Sequence, residues 1–342
     1  MKHLRTIFFG GATLLSCASL LSACHQRQKA MSFYYWRTVF SIDTLETVTL
    51  KDNNVHTLYV RYFDVDWPPE DSSATPVSPI QFTTEPTGYS IVPVVFLRNR
   101  VFEKLAPASI PAFTSKIKAL IERISQSHSI RPDEVQFDCD WTQRTKNSYF
   151  NFLRAYHDLS AKPVSCTIRL HQVKYPDQTG IPPVDHGVLM YYNMGNIDAG
   201  GGSSIYEKSI AHRYTPSLRS YPLSLDLALP VFSWGLLVRD GKVVQLLDKM
   251  NAALLDGDTC FTRLSRGWYS AKDGCFKSGY YFQHGDNIKI ESVSADDLRE
   301  IVTDVNRHTN HHIQNVLFFD LDRQNILLYD KDLFKELLAH TD

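Results

Sequence analysis

Short runs rich in β-branched and aromatic residues alternate along this chain with amphipathic runs of helical period, and that alternation restricts the fold more than any other feature. The strand-like runs cover residues 33–40, 56–64, 89–97, 134–142, 163–171, 187–193, the opening of 224–237, and 313–321. Between them, residues 110–127, 146–159 and 295–308 read as helices, 204–212 as a short one and 331–340 as a closing one. Ser294 stands as N-cap of the 295–308 helix, with Asp297 in its first turn. Strands that return in the same direction after a helical crossing pair in parallel. About eight such units in about 310 residues fit a closed (β/α)8 TIM barrel of the α/β class better than an open doubly wound sheet. The barrel is expected to be irregular. Residues 43–54 and 68–86 carry no helical pattern, so long loops should follow the second strand.

No linker run divides the chain, and residues 31–342 read as a single barrel domain with an insertion at 258–290, rich in Gly, Tyr and Phe. Cys260 and Cys275 bracket part of that insertion and are the candidate disulfide pair. Cys139 and Cys166 sit in apolar strands and read as small buried hydrophobes. The 43% hydrophobic content excludes a disordered chain, and a net charge of −1 gives no basic footprint for nucleic acid.

Lys2 and Arg5 precede an interrupted apolar stretch, too short to cross a bilayer, that ends in Leu21-Ser22-Ala23-Cys24. This tetrapeptide resembles the lipobox of bacterial lipoproteins. The resemblance implies that residues 1–23 are a signal removed on export. Cys24 would then be lipidated and held by membrane lipid, with residues 24–30 as a tether. The alternative is an ordinary secreted protein with an unpaired Cys24. No Asp follows Cys24, which favours a lipid-anchored position in the bacterial cell envelope at the outer membrane.

Phe63-Asp64-Val65-Asp66-Trp67 and Phe137-Asp138-Cys139-Asp140-Trp141 repeat one pattern, and Phe319-Asp320-Leu321-Asp322 repeats part of it. Alternate residues of a strand share a face, so each aspartate pair points one way and its apolar neighbours the other. In a barrel these tips would bring carboxylates to the C-terminal mouth, where mutual repulsion and burial raise pKa values. The plain alternative is that each pair caps a loop or a helix. A cation such as Ca²⁺ is a further alternative for oxygen ligands of this kind, although no ligand spacing marks a metal site and no cofactor motif is present. Trp36 and Trp234 follow strands and suit a stacking platform for sugar rings, whereas Trp67 and Trp141 suit the core. Arg169 and His171 share a face beside the Asp138 strand. The His308, His311 and His312 segment reads as a solvated loop and Gly200-Gly201-Gly202 as a flexible one.

Strands four to eight resemble glycoside hydrolase family 18, the chitinases and endo-N-acetylglucosaminidases. Asp138 and Asp140 match the second and third acids of that family's D-G-x-D-x-D-x-E strand. Met190-Tyr191-Tyr192-Asn193 is similar to its M-x-Y-D, and Leu229-Pro230-Val231-Phe232 to its Leu-Pro-aromatic segment. The resemblance implies a TIM barrel and an N-acetylated glycan as ligand, with Asp138 and Asp140 as catalytic carboxylates only if the chain is active. The family's proton donor aligns with Thr142, whose hydroxyl is no acid near neutral pH.

The expectation is therefore an envelope-anchored lipoprotein whose glycosidase-like barrel binds a glycan at its mouth without family 18 catalysis. Trp36, Asp64, Asp66, Tyr192, Asn193, Trp234, Asp320 and Asp322 are the candidate substrate-binding residues. Two alternatives stand beside it. One is an active hydrolase using a rewired aspartate pair; the other is a scaffold lipoprotein whose mouth is filled by its own loops.

Overall fold

A computed structural model of the chain describes residues 29–341; residues 1–23, expected as a signal, and Cys24 lie outside the described residues. The barrel strands are β1 (Ala30–Tyr35), β2 (Thr57–Asp66), β3 (Ser90–Leu97), β4 (Val135–Asp138), β5 (Val164–Arg169), β6 (His186–Met190), β7 (Leu225–Pro230) and β8 (Asn315–Phe319). Each pairs in parallel with the next, and β1 pairs with both β2 and β8, so the sheet closes on itself. The TIM barrel expected from the alternation is the fold observed. One further strand, Thr75–Val77, lies antiparallel on the end of β2 within the long connection that carried no helical pattern.

The longer helices are α1 (Thr44–Asp52), α2 (Ile110–Ser127), α3 (Lys146–Ser160), α4 (Ala295–His308) and α5 (Leu333–His340). In α2, Ile110, Phe113, Ile117 and Ile121 repeat at helical spacing and are buried against the sheet. In α4, Ser294 and Asp297 form a reciprocal capping box: the Asp297 N–H donates to Ser294 Oγ and the Ser294 N–H to Asp297 Oδ2. Helix α1 corrects the expectation that residues 43–54 are not helical. Its apolar period is weak because it buries only Glu46, Thr49 and Leu50. It is held instead by a capping box, with Asp43 Oδ1 2.8 Å from the Glu46 N–H, and by the ion pair of buried Glu46 with Arg37 at 2.9 Å.

The strand pleat sets what faces the lumen. Phe137 of β4 points outward, with its ring 4.9 Å from Phe152 and 4.7 Å from Tyr156 of α3. Gln136 points inward and accepts a hydrogen bond from the Tyr34 hydroxyl at 2.7 Å. Tyr34 belongs to β1, which does not neighbour β4, so the two side chains meet across the lumen. Asp138 shares Gln136's phase and is likewise internal. Strand β4 ends at Asp138, earlier than the alternating pattern through residue 142 predicts. The chain then turns outward, and Trp141 stacks on Tyr149 of α3 at 5.4 Å.

After β7 the chain leaves the barrel to build a second sheet. Its five antiparallel strands run, in spatial order, Lys242–Asp248, Ser233–Arg239, Asn287–Ser292, Trp268–Ala271 and Phe261–Ser265. A hairpin, Cys275–Lys277 with Tyr280–Phe282, packs beside it. Leu237, Leu247, Met250, Tyr269, Phe282 and Ile288 form a small core of its own. The segment expected as an insertion at 258–290 falls within this sheet, which starts earlier, at Ser233. Cys260 and Cys275 are disulfide-bonded, and Cys139 and Cys166 are free and buried. Among the described residues, no helix is long and apolar enough to cross a membrane.

Candidate functional site

The ends of β1, β7 and β8 build an aromatic wall at the barrel mouth. Trp36 lies one residue beyond β1, Phe319 closes β8, and Phe232 and Trp234 follow β7. Ring centroids run from Trp36 to Phe319 at 5.3 Å, Phe319 to Phe232 at 5.7 Å, and Phe232 to Trp234 at 5.2 Å. Trp36 and Trp234 are both half-buried and line one cleft of about 770 Å³ together with Asn193, Asp248 and Asp320. A smaller depression of about 320 Å³ holds Asp140, Arg169, His171 and Tyr192, and Asn193 lines both spaces. The inserted sheet contributes Asp248, and the turn after it Lys249, to the side of the cleft, which stays open rather than plugged.

Trp234 is fixed from behind. Its indole Nε1 donates to Glu291 Oε2 at 2.9 Å, and the same oxygen accepts from the Ser204 N–H at 3.0 Å and from the Ser204 hydroxyl. Lys289 Nζ pairs with Glu291 at 2.9 Å and donates to the carbonyls of Gly201 and Gly202 at 2.9 and 2.8 Å. The glycine-rich loop read as merely flexible is thus tied to the cleft wall.

The acids of β4 and β8 occupy different environments. Asp138 is buried and accepts from Thr167 Oγ1 at 2.6 Å. Burial pushes its carboxyl up to about 6, with the Asp140 charge adding to the rise and Arg169 opposing it. Asp140 accepts from Arg169 Nε at 2.7 Å at the more exposed rim. The Arg169 guanidinium also stands 6.0 Å over the Tyr192 ring, and Tyr192, itself buried, has its hydroxyl pushed well up by burial. Asp320 accepts from Asn325 Nδ2 at 2.6 Å; burial, and then the neighbouring Asp322, push its carboxyl up to about 7. Asp322 caps the turn Arg323–Ile326 and pairs with Lys249 at 2.5 Å.

The six aspartates do not converge on one point. Asp64 pairs with Arg61 at 2.7 Å. Asp66 pairs with Arg100 at 2.5 Å and Arg98 at 3.3 Å, and the Arg100 hydrogen bond holds its carboxyl below the usual range. Neither lines the cleft or the depression. Asp140 and Asp320 do line them, Asp138 lies buried in the lumen, and Asp322 stands behind the cleft in its ion pair. Tyr192, Asn193, Trp36 and Trp234 are all at the mouth. Trp141 is fully buried, with Nε1 donating to Thr179 O at 2.8 Å, and Trp67 is half-buried outside both spaces. His171 lies in the short helix Leu170–Lys174 rather than on the strand, yet lines the depression beside Arg169. Thr142 is exposed in the turn before α3, its N–H bonded to Thr145 Oγ1 at 2.9 Å. Among the described residues, no group of three His, Cys, Asp or Glu side chains could hold a metal ion.

Sequence reasoning missed Asp248, Lys249, Phe319, Asn325 and Glu291. Only Phe319 carried a signal, as part of the third acidic repeat; the others reach the mouth through the inserted sheet and a short turn.

No protein-family model matches the chain, and no curated protein is detectably similar in sequence. Solved structures are similar in fold. The spore cortex-lytic enzyme SleL of Bacillus cereus superposes with a TM-score of 0.53 at 14% identity, over 92% of this chain and 74% of that one. The class V chitinase of Nicotiana tobaccum gives 0.50 at 10% identity, over 92% and 99%. A family 18 chitinase of Cycas revoluta, solved in complex with (GlcNAc)4, gives 0.50 at 12% identity, over 91% and 98%. The fold is thus a family 18-like TIM barrel.

Proposed function

We propose that this chain is an envelope lipoprotein, anchored through Cys24, whose barrel mouth binds a saccharide and lacks the hydrolytic chemistry of family 18. The observation that carries the reading is the cleft itself: Trp36 and Trp234, with Phe319 and Phe232 between them, offer stacking faces beside polar groups for ring hydroxyls. Asn193, Tyr192 and the Asp140–Arg169 pair supply those groups in the adjoining depression, with Asp138 beneath them. N-acetylated oligosaccharides are the first ligands to test, because a structural relative from Cycas revoluta holds (GlcNAc)4. The absence of family 18 chemistry is supported by Thr142, an exposed turn residue where the resemblance calls for a glutamate. Outer-membrane placement rests on the lipobox-like tetrapeptide and the residue after Cys24.

The test is titration calorimetry of residues 25–342 with (GlcNAc)4 and related oligosaccharides. Saturable binding is expected, weakened about 5-fold or more in Trp36→Ala and in Trp234→Ala, from the loss of one stacking face each. No binding, or wild-type affinity in both variants, would remove the cleft as the site.

A second reading, hydrolysis by a relocated acid, is favoured by one observation. Asp320 sits in the cleft and holds its proton near neutral pH. Release of reducing ends by the wild-type chain that Asp320→Asn abolishes would select it.

A further inference from the structure

The charges around the cleft do not balance. Arg37 and Lys249 reach its edge, but each is already engaged, Arg37 by Glu46 at 2.9 Å and Lys249 by Asp322 at 2.5 Å. Asp248 and Asp320 line the same space, and among the described residues neither makes an ion pair, although the charges of Lys249 and Arg37 stand near enough to Asp320 to favour its ionised form. Asp320 is 7% exposed; its Oδ1 is held by Asn325, and among the described residues its Oδ2 has no protein partner and opens on the cleft. The exposed Asp248 carboxylate is likewise unpaired, its backbone N–H alone being bonded, to the Tyr280 hydroxyl at 3.0 Å. Carboxyls free of ion pairs beside aromatic faces suit an ammonium, since ring quadrupoles and carboxylates both attract it.

Resting on the saccharide reading above, we propose that the cleft selects an amino sugar whose nitrogen is free and protonated, held between Trp36 and Trp234 with its ammonium against Asp320 and Asp248. The ligand class is then a de-N-acetylated glycan rather than a fully acetylated one. An acetamido group in that place presents no charge, so it leaves Asp248 without a counter-charge and leaves Asp320 with its proton. The groups facing Asp320 are Asp322 and Asn325 from the following turn, Asp248 and Lys249 from the inserted sheet and its edge, and Arg37 from the loop after β1. Burial and the two aspartates keep a proton on Asp320 in the empty cleft, so an arriving ammonium displaces that proton.

The experiment is calorimetry at slightly acidic pH, where the sugar amine is charged, with the tetramer of glucosamine and with (GlcNAc)4, in two buffers of different ionisation enthalpy. The glucosamine tetramer is expected to bind roughly tenfold tighter, with proton release to the buffer. Asp248→Asn and Asp320→Asn should each shrink the ratio of the two affinities toward unity. Asp248 lies on the exposed wall, so its variant carries the test even where the buried Asp320→Asn fails to fold. Binding of (GlcNAc)4 with no preference for the amine overturns the inference and leaves the saccharide reading intact. A preference that persists in Asp248→Asn also overturns it. Binding of neither tetramer overturns both.

Discussion

The Nε of Arg169 donates to Asp140 Oδ1 at 2.7 Å, which places a cation from the end of β5 beside two acids from the end of β4. Asp138 needs that cation more than Asp140 does, because Asp138 is buried and Asp140 reaches solvent. Arg169→Met should therefore raise the Asp138 carboxyl above its value of about 6. It should also destabilise the fold by about 2 kcal/mol, the scale for a lost charged hydrogen bond. Carbon-detected titration of Asp138 reads the first and urea unfolding the second. An unmoved Asp138 midpoint would show that Arg169 is not its counter-charge.

Asp320 and Asp138 set a pH dependence of known sign. Their folded values, about 7 and about 6, lie above the roughly 3.9 of an unfolded aspartate. Between those limits the folded chain binds more protons than the unfolded one. Their contribution to stability is therefore full below about pH 4 and is lost as pH rises through 6 and 7. Asp320→Asn keeps an acceptor for Asn325 and removes the titration. It should be more stable than wild type at pH 8, by an amount on the order of a few kcal/mol, with a flatter stability profile between pH 4 and 7. Denaturant unfolding at pH 5 and pH 8 checks this, and equal slopes for the two chains would count against it.

The barrel was readable because closing a parallel sheet demands eight apolar strands in one phase, and the chain shows them from Phe33 to Phe319. Helix α1 was not readable, since a helix held by Asp43, Glu46 and Arg37 leaves no apolar period. At the mouth, the period-two rule placed Asp138 and Gln136 inside and Phe137 outside. The same rule could not tell which aspartates would be neutralised. Asp64 and Asp66 meet Arg61, Arg98 and Arg100, and Asp322 meets Lys249, from the turn that follows a strand of the inserted sheet. Trp36 and Trp234 were recognisable as strand-end aromatics, but the Glu291 that holds Trp234 lies in the inserted sheet, where no pattern marks it.

The disulfide between Cys260 and Cys275 closes a short loop, with a sequence separation of 15. A loop of that length constrains the unfolded chain by about 3 kcal/mol. The bridge lies wholly within the inserted sheet and its hairpin, which have their own small core. Replacing both cysteines by serine should speed amide exchange across residues 261–282 while strands β1 to β8 keep their protection. Equal loosening of barrel and insertion would mean that the two unfold as one unit.

Glu291 joins the insertion to the cleft, and its removal should be felt at both. Its side chain is 1% exposed and that of Lys289 is 10% exposed, so the pair is out of water. Glu291→Ala would leave the Lys289 ammonium with backbone carbonyls alone, and the Trp234 indole and Ser204 hydroxyl with no acceptor. Breaking a buried pair from one side costs about 3–5 kcal/mol. Glu291→Gln keeps an oxygen for Trp234 and Ser204 and loses only the charge, so it should cost less and preserve the Trp234 position. Trp234 fluorescence, isolated by subtracting the Trp234→Phe spectrum, should shift to the red in the alanine variant and stay near wild type in the glutamine variant. Saccharide affinity should follow the same order. If both variants bind and fluoresce alike, Trp234 is held by its ring contacts with Phe232, 5.2 Å away, and not by Glu291.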